Sequence, residues 1–160
     1  MELDLGAHGG PTRPRWPEGA RVLDWGPEAA AASFAVYESA FRERPRFPGW
    51  TRSEWADRLT GDDDFLPEAS LCARIDGVPA GYVVSRRGWI DQVGVVPEQR
   101  RRGLARALLS EVAARQRAGG ESRLWLHVNA DNPGARAVWR ALGWSMVGRR
   151  GRFERDAHPR

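Results

Sequence analysis

Between Trp89 and Ala118 the chain changes its apolar period once, at a fixed point. Trp89 to Val96 reads as a strand and Pro97 stops it. Three arginines follow, Arg100 to Arg102, and then Gly103. Beyond them Leu104, Ala105, Leu108, Leu109, Val112 and Ala113 mark one face of a helix over 101–118, ended by Gly119-Gly120. A strand joined to a helix through a short basic turn excludes an all-α or all-β chain. The turn also has a chemistry. The first amides of a helix lack intrahelical partners and sit at the positive end of its dipole. Small residues there let an anion approach the backbone.

The other segments agree with a mixed α/β domain. Arg21 to Trp25 is a strand candidate, and Pro27 opens an Ala-rich helix to about Arg42. Thr51 with Glu54 is a capping-box pattern for a helix over 52–59, and Gly61 to Asp64 is a turn. Ser70 to Ile75 and Pro79 to Ser85 flank Asp76-Gly77, a strong hairpin signal. Arg123 to Val128 reads as a buried strand. Asn132-Pro133 starts a last helix, closed by Gly143, and 145–154 reads as a hairpin. The order predicts a central mixed sheet flanked by helices. Pro11, Pro14 and Pro17 make 1–19 a flexible arm, leaving 20–155 as one domain and 156–160 as a tail.

Composition narrows the partners. The 160 residues fit one domain. The 25 basic residues are all Arg against 21 acids, so the net charge is only +4. Arg is dispersed among Asp and Glu, which argues against a nucleic-acid partner. No apolar run reaches membrane-spanning length. Residues 1–10 lack the apolar core of a signal peptide, and one cysteine, Cys72, fits a reducing compartment, so a cytoplasmic protein is expected.

The basic turn is a candidate pyrophosphate cradle with arginines for charge-assisted contacts. It lacks the Gly-Lys-Ser/Thr of a P-loop and the Gly-x-Gly-x-x-Gly of a dinucleotide fold. Alone, it would read as a solvated basic turn. However, Arg100-x-x-Gly103-x-Ala105 resembles the Q/R-x-x-G-x-G/A signature of the GNAT superfamily of N-acetyltransferases. Asn132 to Trp144, with Ala135 and the Leu142-Gly143-Trp144 corner, is similar to that family's second signature. Trp16 to Gly19, Gly49 to Thr51 and Leu126 to Asn132 look loosely like one half of the tandem mycothiol synthase type.

The resemblance implies a GNAT-like fold with splayed strands at an acetyl-CoA cleft. It implies acetyl transfer to a primary amine of a small molecule or peptide, by direct attack in a ternary complex. Acetyl-CoA is then the acyl donor. Backbone groups of Val93 and Val95 would pair with the pantetheine arm. Amides of Arg101, Arg102, Gly103, Leu104, Ala105 and Arg106 would hold the pyrophosphate, with Arg100 adding charge. Asn132 would reach the pantetheine or a bridging water. Monomer and homodimer both fit the family.

The attacking amine must lose a proton, which suits a group titrating near neutrality. His127 is the first candidate, because histidine ordinarily titrates near 6.5 and the position matches a glutamate base in part of the family. The alternative is a histidine packed in the sheet. Asp91 is second, as relay or amine ligand, with a solvent-exposed strand residue as the alternative. By strict alternation it shares a face with Trp89, Val93 and Val95. Trp139, which the resemblance places among the cofactor-binding residues, stands where many members have a tyrosine that protonates the leaving thiolate, and indole cannot supply that proton. Either the thiolate leaves unprotonated or water protonates it. A third reading is an acyl-CoA-binding domain with weak or no catalysis. Phe47, Trp50 and Trp55 would line an apolar acceptor pocket, or pack a short helix. Trp125 and Trp144 read as core, and Cys72 as a buried thiol. His8 and His158 have no metal-ligand spacing, and no metal is expected. Asp62 to Asp64 would bind a cation or form a solvated turn.

Overall fold

Asp76 and Gly77 both take left-handed backbone angles, with φ of 51° and 83°. Such a pair matches the twist of its flanking strands and closes the predicted hairpin. The computed structural model describes residues 1–6, 13–44, 47–128 and 133–148. Around the hairpin the elements run β1 (Glu2–Asp4), β2 (Ala20–Asp24), α1 (Pro27–Phe41), α2 (Arg52–Thr60), β3 (Leu71–Ile75), β4 (Val78–Arg86), β5 (Trp89–Val95), α3 (Leu104–Ala118), β6 (Arg123–Leu126) and α4 (Pro133–Ala141). The capping box forms as expected: the Thr51 hydroxyl accepts from the Glu54 amide, and the Thr51 amide donates to Glu54 Oε2 at 2.8 Å.

The sheet order is β1-β6-β5-β4-β3-β2. Every neighbouring pair is antiparallel except β5 with β6, which is parallel. Apolar side chains of α3 and α4 cover one face, with Val83, Ile90, Leu104, Leu108, Leu124 and Trp139 in that core. Val36, Tyr37, Trp55, Cys72, Tyr82 and Val84 form the core under α1 and α2. Two glycines let the helices close on the sheet. A Cβ at Gly81 would stand 2.9 Å from Leu108 of α3, and one at Gly94 would stand 2.7 Å from the Tyr82 ring and 3.0 Å from Phe41 of α1.

The start of the chain departs from expectation. Residues 1–6 are not a loose arm. Glu2–Asp4 pairs antiparallel with β6, and Met1, Leu3 and Leu5 are buried. Their alternate apolar spacing suits a strand with one covered face. Of the hairpin read over 145–154 only the first residues are described; there Ser145 bridges to Glu2, extending the sheet past β1. Residues 149–154 and the 156–160 tail lie outside the described residues.

Candidate active site

The parallel β5/β6 pair is short. Its register is Trp89 with Trp125 and Ile90 with Leu126, and it stops there. Among the described residues, β5 from Asp91 to Val95 has no strand on its β6 side. Its other edge is satisfied by β4, where the Val96 amide donates to the Ala80 carbonyl at 3.0 Å. Alternation then points the backbone of Gly94 at β4 and that of Val93 and Val95 into the opening. Arg100 Nε reaches the Val95 carbonyl at 3.3 Å from the open side.

The cradle sits at the end of this opening. A short 3-10 turn over Pro97–Gln99 follows β5. Arg101 takes φ of 62° and Gly103 takes φ of 84°, which turns the chain into α3. Gly103 is the N-cap. It has no side chain to satisfy the first amides, and no acidic residue occupies the first turn. The space a Cβ at Gly103 would occupy is open. Uncapped amides, free space above them and a positive helix end fit an anionic group. Arg101, Arg102 and Arg106 are exposed around that point. The Leu104 side chain is core, as its place on the apolar face predicts, so only its amide is available to a ligand. The Arg100 side chain turns back from the helix end to bond the carbonyls of Val95 and Ala40. Asn132 lies outside the described residues.

At the other end of β5 a register shift between Val84 and Ser85 leaves Asp91 without a partner on β4. One extra residue breaks the alternation of side chains. Ile90, Val93 and Val95 therefore all pack against the α3/α4 core, whereas Gln92 turns to the α1/α2 side. Asp91 does not share a face with Val93 and Val95. The bulge re-aims it toward Arg86, whose Nη2 lies 3.5 Å from its Oδ2. Arg86 Nη1 is paired with Asp62. Burial raises the Asp91 pKa above the ordinary carboxylate value; Arg86 and His127 oppose that shift and Asp62 adds to it. Asp62 is thus not a free solvated turn residue.

His127 is exposed one residue past the end of β6, with its ring 5.1 Å from that of Trp89. Trp89 is 37% exposed and also lies 6.3 Å from Trp125. Trp125 is only half-buried, so it belongs to this open face and not to the core. Trp144 is core as expected.

The aromatic expectations divide. Phe47 and Trp50 are half-buried and rest on Tyr37, Trp50 stacked at 9°. Trp55 is fully buried, and its Nε1 donates to Gln92 Oε1 at 3.1 Å. It forms the floor beneath the half-buried pair and offers no surface to a ligand. Trp139 is 4% exposed and packs edge-on against Trp144 at 5.1 Å, so packing accounts for it. Cys72 is fully buried, and burial pushes its thiol up to about 11.

One residue had no local signal in the sequence. Gln116 of α3 is buried; its Oε1 accepts from the Gly88 amide at 3.0 Å, and its Nε2 donates to the carbonyls of Arg86 and Trp89. It fixes the β4–β5 turn, and with it the start of the strand that carries Trp89 and Asp91.

Among the described residues, the parallel β5/β6 pair opens beside an uncapped helix end, and the two together form a cleft along a strand edge. Residues 33–144 match the Acetyltransferase (GNAT) family, and the chain belongs to it. It is 31% identical over 139 residues to the mycothiol acetyltransferase of Streptomyces griseus, covering 82% of this chain and 45% of that protein. It is 32% identical over 119 residues to the N-alpha-acetyltransferase RimI of Mycobacterium tuberculosis, covering 62% of this chain and 73% of that one. A crystal structure of a GCN5-related N-acetyltransferase from Sphaerobacter thermophilus superposes with a TM-score of 0.74 at 29% identity, over 89% of this chain and 45% of that one. The chain thus spans less than half the length of the mycothiol acetyltransferase it matches.

Proposed function

We propose that the chain is an acetyl-CoA-dependent N-acetyltransferase acting on a primary amine of a small molecule or peptide. The observation that carries this reading is the open β5 edge leading to the uncapped start of α3. Acetyl-CoA would supply an acetyl group activated as a thioester. The amides of Arg101, Arg102, Gly103, Leu104, Ala105 and Arg106 would hold its pyrophosphate, with the exposed arginines adding charge. The backbone of Val93 and Val95 would hold its arm as an added strand does. Arg100 must release the Val95 carbonyl when that edge is used.

The acceptor approaches from the α1/α2 side of β5, past Phe47 and Trp50. His127 removes the amine proton, and Asp91, which feels the charge of His127, serves as relay or amine ligand. The raised pKa of Asp91 suits a group that exchanges protons closer to neutrality than an ordinary carboxylate. Cys72 is sealed in the core and its thiol titrates far above neutrality, so it offers no covalent route. That favours direct attack in a ternary complex. The buried Trp139 supports departure of the thiolate without a protein acid, either unprotonated or protonated by water.

Initial rates at several fixed acetyl-CoA concentrations should give intersecting double-reciprocal lines. Parallel lines would refute direct transfer. His127→Ala should lower turnover while leaving acetyl-CoA affinity near native, and an unchanged turnover would reduce His127 to a structural residue.

A further inference from the structure

The Arg100 side chain has two hydrogen bonds to the protein backbone, and both go to carbonyl oxygens. Its Nε donates to the Val95 carbonyl on the open edge of β5 at 3.3 Å. Its Nη2 donates to the Ala40 carbonyl in the last turn of α1, also at 3.3 Å. That turn holds no basic residue of its own, so Arg100 supplies the cation that the negative end of a helix favours. Among the described residues no carboxylate pairs with Arg100, and Arg44 stands close enough for the two cations to repel.

Both bonds are easily given up. At 3.3 Å they exceed the usual N–H···O range, and the Arg100 side chain is exposed to water. A guanidinium on a phosphate makes shorter bonds of roughly twice the strength. Arg100 lies three residues before Gly103, the N-cap of α3. An anion on the first amides of α3 therefore competes for Arg100 against two neutral carbonyls, and charge favours the anion.

The Val95 carbonyl is the group in dispute. An arm laid along β5 as an added strand needs it as an acceptor, and Arg100 Nε holds it in the free chain. Resting on the acetyltransferase reading, we infer that Arg100 is a gate between the two halves of the donor site: an anion at the start of α3 draws Arg100 off Val95 and so opens the β5 edge to the arm. Arg100 is then a positioning residue, and the phosphate end of the donor makes room for its thioester end.

The test divides the donor into two fragments, inorganic pyrophosphate and S-acetylpantetheine. The full chain is titrated with each alone and with both. The Gly103 and Val95 amides, followed in a nitrogen–proton correlation spectrum, report the two halves of the site. Saturating pyrophosphate should tighten acetylpantetheine binding about 2- to 10-fold, the worth of one exposed hydrogen bond. Acetylpantetheine should tighten pyrophosphate by the same factor, because such coupling is reciprocal. Arg100→Ala should bind acetylpantetheine at the tighter value without pyrophosphate and lose the coupling. Arg100→Lys keeps the charge without the fork and should retain part of it. Independent binding of the two fragments, coupling that survives Arg100→Ala, or weakened acetylpantetheine binding in Arg100→Ala would each overturn the gate. The acetyltransferase reading fails separately. Acetyl-CoA that shifts neither amide refutes that reading, whereas acetyl-CoA that shifts both, with no coupling between the fragments, refutes the gate alone.

Discussion

Gly103 and Gly77 offer a matched pair of substitutions. Both have left-handed φ, 84° and 83°, and a Cβ at either would meet no atom within 4 Å. An alanine therefore clashes with nothing at either site and pays only for the backbone angle, about 1–2 kcal/mol. For a domain of this size that lowers Tm by roughly 2–8 °C in both variants. The ligand separates them. Gly77 lies in the β3–β4 turn, whereas Gly103 caps α3 where the pyrophosphate is assigned. A methyl group there displaces the anion from the first amides. Losing two charge-assisted hydrogen bonds at about 1.5–3 kcal/mol each weakens binding by roughly 100-fold or more. Thermal melts without ligand and calorimetric titration with acetyl-CoA measure the two effects. Gly103→Ala and Gly77→Ala should melt together and bind differently. Equal, near-native affinities would refute the cradle; unequal melts would refute the strain argument.

Asp62 competes for Arg86 and adds negative charge near Asp91. Asp62→Asn should lower the Asp91 pKa, and because a base works deprotonated, any limb of the kcat/KM profile that reports Asp91 should move to lower pH. A shift upward would contradict this arrangement. Gln116→Leu leaves the Gly88 amide and two carbonyls without their partner, which should cost about 2–4 kcal/mol in urea unfolding; a loss below about 1 kcal/mol would show that the turn holds itself. Trp139→Tyr trims a buried ring, so stability should fall by about 1–3 kcal/mol while turnover stays within a few-fold. A large gain in turnover would show that a missing acid limits the reaction.

The parts of the fold that sequence makes legible are those built from neighbours in the chain. Thr51 and Glu54 are three residues apart, and Asp76-Gly77 are adjacent, so their signals act locally. The turn into α3 is legible for the same reason: Pro97, Arg100 and Gly103 form one continuous segment. β1 is not legible because three residues before a Pro-rich stretch carry little signal, and the strand's partner is β6, more than a hundred residues away. Only the alternation of Met1, Leu3 and Leu5 hints at it. The face of Asp91 is not legible because strict alternation holds only without a bulge, and the bulge depends on the β4 register. Trp125 looked like core because a sequence does not show which sheet face a helix leaves open. Arg86, Asp62 and Gln116 act through contacts between distant segments, so nothing adjacent to them points to the roles they take.

The central claim is that the β5 edge and the start of α3 hold acetyl-CoA so that its acetyl group passes to an amine. Release of CoA thiol from acetyl-CoA, followed across a panel of cationic and neutral primary amines with product mass confirmed, tests it most directly. The account predicts amine-dependent release with the acetyl group on nitrogen. Calorimetric binding of acetyl-CoA with no release above the hydrolysis background for any amine would contradict it and leave an acyl-CoA-binding domain in its place.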